Sequence, residues 1–227
     1  MRVQGRLAVP FSQRIAMHHL ILLGDSIFDN AAYTDGGPAV INHLQQQVPD
    51  GWRATLGAVD GATTEDIYPQ LKALASDVSH LVLSIGGNNA LMCADILDTP
   101  VTSTAQALIM LSALARDFDI AYRRVVQACL ERELPLVVCT IYHGNFPDPD
   151  YHQRCAVALT VFNDVIIRVA IEHRLKVIDL RSICTLPNDY ANPIEPSASG
   201  GAQITQAIVM AVTEPSHNAR GANVVGG

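Results

Sequence analysis

A chain of 227 residues with 49% apolar and 16% charged residues is long enough for one large domain and too apolar for a disordered chain. Its net charge of −7 and aromatic share of 5% oppose nucleic acid or an anionic membrane as the principal partner, which leaves small-molecule chemistry. The five cysteines are odd in number and show no C-x-x-C spacing, which indicates free thiols in a reducing, cytoplasmic setting and neither a disulfide framework nor a zinc site.

Residues 1–16 read as an N-terminal extension. They carry three arginines and no acid, and Gln4, Pro10 and Gln13 break the apolar run that a signal peptide needs; Met17 is the alternative start. Short apolar segments then alternate with helical periods, the pattern of βαβ units on a parallel sheet. Five strands are expected, at His19–Leu23, Arg53–Leu56, Leu81–Ile85, Leu136–Thr140 and Lys176–Ile178, each apolar as strands covered on both faces should be. The helix after Thr64 either kinks or begins near Pro69, because an interior proline removes a hydrogen bond.

Leu108, Leu111, Ala115, Phe118, Tyr122, Val125 and Cys129 recur at helical steps, with Ser103 or Thr104 available as the N-cap. Ala156, Leu159, Phe162, Ile166 and Val169 repeat that pattern, as do Ile204, Ile208 and Ala211. The longest apolar run, Ala107–Ala115, contains Ser112 and falls well short of the ~18 residues that span a bilayer. The domain is expected over 17–213. From 214 to 227 the composition turns polar and Gly-rich, which reads as a disordered tail. The fold class is therefore three-layer α/β/α with a flavodoxin-like five-stranded parallel sheet.

In a sheet of order 2-1-3-4-5, ligands bind beyond the C-terminal ends of strands 1 and 3, where the order reverses. Gly24-Asp25-Ser26 follows strand 1 and Gly86-Gly87-Asn88-Asn89 follows strand 3. Gly24-Asp25-Ser26 resembles the first block of the GDSL/SGNH esterase family, Gly61 in Asp60-Gly61-Ala62-Thr63-Thr64 resembles the glycine of the second, and Gly86-Gly87-Asn88 resembles the third. The resemblance spans residues 18 to 213. It implies a serine esterase or acylhydrolase of small-molecule, lipid or carbohydrate esters that forms an acyl-Ser26 intermediate, with Gly61 N–H and the Asn88 side chain donating to the oxyanion. Each such donor contributes about 3–4 kcal/mol. No phosphate-cradling G-x-G-x-x-G follows strand 1, which disfavours a flavodoxin-like nucleotide binder. No cofactor or metal role follows from the residues.

The fifth block of that family is Asp-x-x-His, and here Asn192-Pro193-Ile194-Glu195 occupies its place. Asn192 stands where the aspartate belongs and Glu195 where the histidine belongs. An asparagine can donate a hydrogen bond to the neighbouring carboxylate, where an aspartate would repel it. Three readings stay open: Glu195 is the base, a histidine such as His143 or His152 replaces it, or the crevice binds a ligand without turning it over.

Overall fold

The computed structural model describes residues 17–214 and 223–226; the extension 1–16 lies outside them. Strand β1 (His18–Gly24) leads through helix α1 (Val40–Gln47) to β2 (Trp52–Leu56), and α2 (Ile67–Lys72) leads to β3 (His80–Ser84). The short α3 (Gly87–Leu91) and the long α4 (Thr104–Leu130) precede β4 (Leu136–Cys139), and α5 (Pro149–His173) precedes β5 (Lys176–Ile178). One turn, α6 (Leu180–Ile183), the helix α7 (Ala198–Thr213) and a last strand, β6 (Asn223–Val225), complete the chain. All five expected strands form within one residue of their expected bounds.

The sheet is wholly parallel with order β2-β1-β3-β4-β5-β6. Among the described residues it has six strands where the sequence suggested five. The sixth lies inside the segment read as a disordered tail, and it pairs Lys176–Ile178 with Asn223–Val225. Its two β-branched valines suit a strand, but three residues among glycines leave no periodicity to read.

Alternation along each strand sends side chains to opposite faces. Ile21, Leu23, Leu81, Leu83 and Val138 pack with α2, α4 and α5 on one face. Leu20, Leu22, Val82, Val137 and Ile178 pack with α1 and α7 on the other. Both faces are thus covered, as the unbroken apolar strands require.

The helix boundaries have local causes. Ser103 Oγ accepts from Gln106 N at 3.2 Å and starts α4. Asp148 Oδ1 accepts from Asp150 N at 3.0 Å, with Pro149 at the first position of α5, where its missing N–H costs nothing. Pro69 falls in the first turn of α2, so the second alternative for that helix is the one found. No helix among the described residues is long and apolar enough to cross a membrane.

Candidate active site

The reversal of strand order between β1 and β3 opens a crevice, and Ser26 enters it from the turn after β1. That turn depends on Gly24. Gly24 pairs with Ser84 in the sheet register, has φ +139°, and a Cβ there would lie 1.8 Å from the Ser84 carbonyl oxygen, so only glycine fits. Buried Gln70 clamps the same residue: its Oε1 accepts from Gly24 N at 2.9 Å and its Nε2 donates to Gly24 O at 2.8 Å. This support carries no sequence signature, because a glutamine in a helix is ordinary.

Ser26 Oγ donates to Glu195 Oε1 at 3.0 Å, across 169 residues of sequence. Both side chains are buried, at 6% and 4% exposure. Glu195 Oε2 is buried and makes no hydrogen bond among the described residues. Burial pushes the Glu195 carboxyl up to about 7, against the Ser26 hydroxyl, which favours the ionised form; the charge of Asp60 adds a smaller upward push. Asp25, also buried, is raised to about 7 by burial first, with its Ile27 N–H bond opposing and the Glu195 charge adding to the rise. Two carboxyls that both titrate near neutrality therefore share one crevice.

Asn192 acts differently from the expectation. Its Oδ1 accepts from Ile194 N and Glu195 N, each at 2.9 Å, so it caps the backbone of the loop and donates nothing to the Glu195 carboxylate. An Asx side chain reaches a backbone N–H two or three residues on with little strain, and that local bond wins. No hydrogen bond from Asn192 therefore lowers the Glu195 pKa.

The Glu195 loop is braced from two sides. Tyr142 Oη donates to Ile194 O at 2.7 Å and Asn145 N donates to Pro193 O at 2.8 Å. Asn30 links it to the nucleophile turn, since its Nδ2 donates to Pro196 O at 3.0 Å while its Oδ1 accepts from Val40 N at 2.9 Å. Asp29 Oδ2 in turn accepts from Asp60 N at 3.0 Å. Of Asp25, Asp29 and Asn30, only Asp25, through Ile27 N at 3.1 Å, makes the self-contained turn commonest for such residues.

Asn88 lines the same cavity as Ser26 and Glu195, and its Nδ2 donates to Ala62 O at 2.9 Å. Asn89 holds the two loops together through Thr64 N at 3.1 Å. Gly61 is not part of the cavity lining. It is exposed, has φ +78°, and its N–H has no hydrogen-bond partner among the described residues.

His143 lines the cavity as well. Burial holds its pKa below the ordinary imidazole range, the Arg181 and His152 charges push it the same way, and only Asp179 opposes. His152 stays outside the lining, beside Phe146 at 6.4 Å between ring centroids. Of the residues singled out from sequence, Ser26, Asn88, Glu195 and His143 thus meet in one cavity. Asn192 acts on that cavity through the loop backbone.

The cavity measures about 100 Å³. Fold and crevice together define the class, a three-layer α/β protein with a crevice where the strand order reverses. The chain belongs to the GDSL-like lipase/acylhydrolase family, whose sequence model matches residues 22–202. Its fold is similar to that of an extracellular lipase from Streptomyces rimosus, with a TM-score of 0.61, 18% identity, and 86% of this chain and 99% of that one covered. The lipase/acylhydrolase of Enterococcus faecalis gives a TM-score of 0.60 at 20% identity over 85% of this chain and 96% of its own. Axe2, an acetylxylan esterase from Geobacillus stearothermophilus, gives 0.60 at 17% identity over 88% and 97%. No curated protein sequence matches this chain.

Proposed function

We propose that the protein hydrolyses carboxylic esters through an acyl-Ser26 intermediate, with Glu195 as the proton acceptor in place of a histidine. The observation that carries this reading is the buried 3.0 Å hydrogen bond from Ser26 Oγ to Glu195 Oε1. A nucleophile and base within hydrogen-bond reach are what acyl transfer needs. Glu195 Oε1 takes the hydroxyl proton as Oγ attacks the ester carbonyl. The protonated carboxyl then returns the proton to the departing alkoxide, and a water repeats the cycle on the acyl-enzyme. The N–H of Ser26 and the side chain of Asn88 stabilise the oxyanion; Gly61 lies outside the cavity lining, and its N–H is assigned as a third donor because it is next to Ala62, whose carbonyl Asn88 holds. Asn88 keeps one amide hydrogen for that role, since the other goes to Ala62 O.

A base must be ionised to act, so kcat/KM is full above the folded pKa of Glu195 and falls tenfold per unit below it. With that pKa at about 7, the acidic limb is expected near neutrality, well above the ~4.3 of an unperturbed glutamate. A free imidazole titrates near ~6.5, so Glu195 and a histidine give similar midpoints. The profile of the parent is therefore compared with that of Glu195→Gln, in which the limb is expected to vanish from the residual activity. A limb that persists unchanged in Glu195→Gln assigns it to another group and removes Glu195 from the mechanism.

A further inference from the structure

We propose that the cavity beside Ser26 holds the acyl chain of the substrate, so that esters of apolar acyl chains longer than acetyl are preferred. The proposal rests on the reading of Ser26 as the nucleophile. The polar lining comes from the strand ends, with Asp25 and Ser26 after β1, Asn88 after β3 and Glu195 from the last loop. His143, Thr140, Tyr142 and Tyr151 add polar atoms, but most of the remaining lining is apolar, and much of it comes from a different layer. Leu97 precedes α4, Leu111 and Leu114 lie on α4, and Ala158, Leu159 and Phe162 lie on α5. The cavity therefore runs from the nucleophile toward the α4–α5 face of the sheet, from polar to apolar. A chain of methylenes matches the second part, and a hydroxylated sugar does not, since its hydroxyls would lose water without gaining partners.

The buried half of the ester is assigned to the acyl side by the order of events. After attack the alcohol must leave and water must arrive, while the acyl chain stays on Ser26. A group held among Leu111, Leu114 and Phe162 is the one that need not depart before the second step. Each buried methylene contributes about fourfold, from ~0.8 kcal/mol. Lengthening acetyl to butyryl should therefore raise kcat/KM by on the order of 10-fold.

The test uses p-nitrophenyl acetate, butyrate, hexanoate and octanoate below their solubility limits, together with ethyl and octyl acetate. The expected result is a rise of at least tenfold from acetate to hexanoate and little change between the two acetates. Ala158→Phe, which fills the cavity from α5, should lower the hexanoate-to-acetate ratio at least tenfold, and Leu111→Ala should move the preference toward octanoate. Acetate cleaved as well as or better than hexanoate overturns the proposal and leaves the esterase reading intact; so does a dependence on the alcohol chain alone. Binding is read separately in Ser26→Ala by the melting shift with octanamide against acetamide, neutral probes that the Asp25 and Glu195 carboxyls do not repel. Octanamide alone should stabilise. If no ester is cleaved but octanamide still stabilises, the chain pocket stands and the esterase reading fails; equal shifts with the two amides overturn the pocket.

Discussion

Replacing Ser26 with Ala is expected to lower kcat for a simple ester by about 10⁶-fold, the scale on which serine hydrolases lose activity when the nucleophile is removed. The fold should survive. Ser26 contributes one hydrogen bond and little packing, since it sits in a turn that is held by Gly24, Gln70 and Ser84. Loss of a bond to a charged partner costs about 1.5–3 kcal/mol at most, which corresponds to a few degrees in melting temperature for a domain of this size. Glu195 responds as well: without the hydroxyl that favours its ionised form, its pKa should rise further. Steady-state rates and a thermal melt on the same pure sample check both parts. Retained turnover in a folded Ser26→Ala sample contradicts the covalent mechanism.

Glu195→Gln keeps the size of the side chain and removes the base. It should cost about 10²–10⁴-fold in kcat/KM, the usual contribution of general-base catalysis. His143→Ala should cost little, because His143 makes no hydrogen bond to Ser26 among the described residues and Ser26 Oγ already has Glu195 as its partner. Parallel kinetics on the two variants check this. Reversed sensitivities would transfer the role of base to His143, which lines the same cavity. A parent protein that cleaves no ester between about pH 4 and 9 would favour a ligand-binding relative that has lost turnover.

The parallel sheet was legible because strands buried on both faces appear as unbroken apolar runs, Leu20–Leu23 and Leu81–Leu83 above all. That Ser26 and Asn88 line one cavity was legible because each follows its own strand at the point where the sheet order reverses. Strand β6 escaped, since Asn223–Val225 is too short to carry a pattern. Asn192 was misassigned for a physical reason: pairing it with the Glu195 carboxylate ignored the nearer backbone N–H groups, which an Asx side chain reaches more easily. Gln70 was invisible because its bidentate hold on Gly24 joins residues 46 apart. The cavity was equally hidden, since its lining comes from segments as far apart as Ser26, Leu111 and Phe162. The raised Glu195 pKa depended on burial, which a sequence does not display.

The pairing of Ser26 with Glu195 is tested most directly by the rate at which an alkyl fluorophosphonate labels the protein, followed by mass spectrometry as a function of pH. Phosphonylation uses the same nucleophile and the same proton acceptor but needs no knowledge of the natural ester. The expected result is one adduct per chain, located on Ser26, forming with a rate that falls as pH drops through about 7 and slowed at least 100-fold in Glu195→Gln, the lower bound for loss of a general base. Labelling of Ser26 at the parental rate in Glu195→Gln, or an adduct on any other residue, would contradict the account.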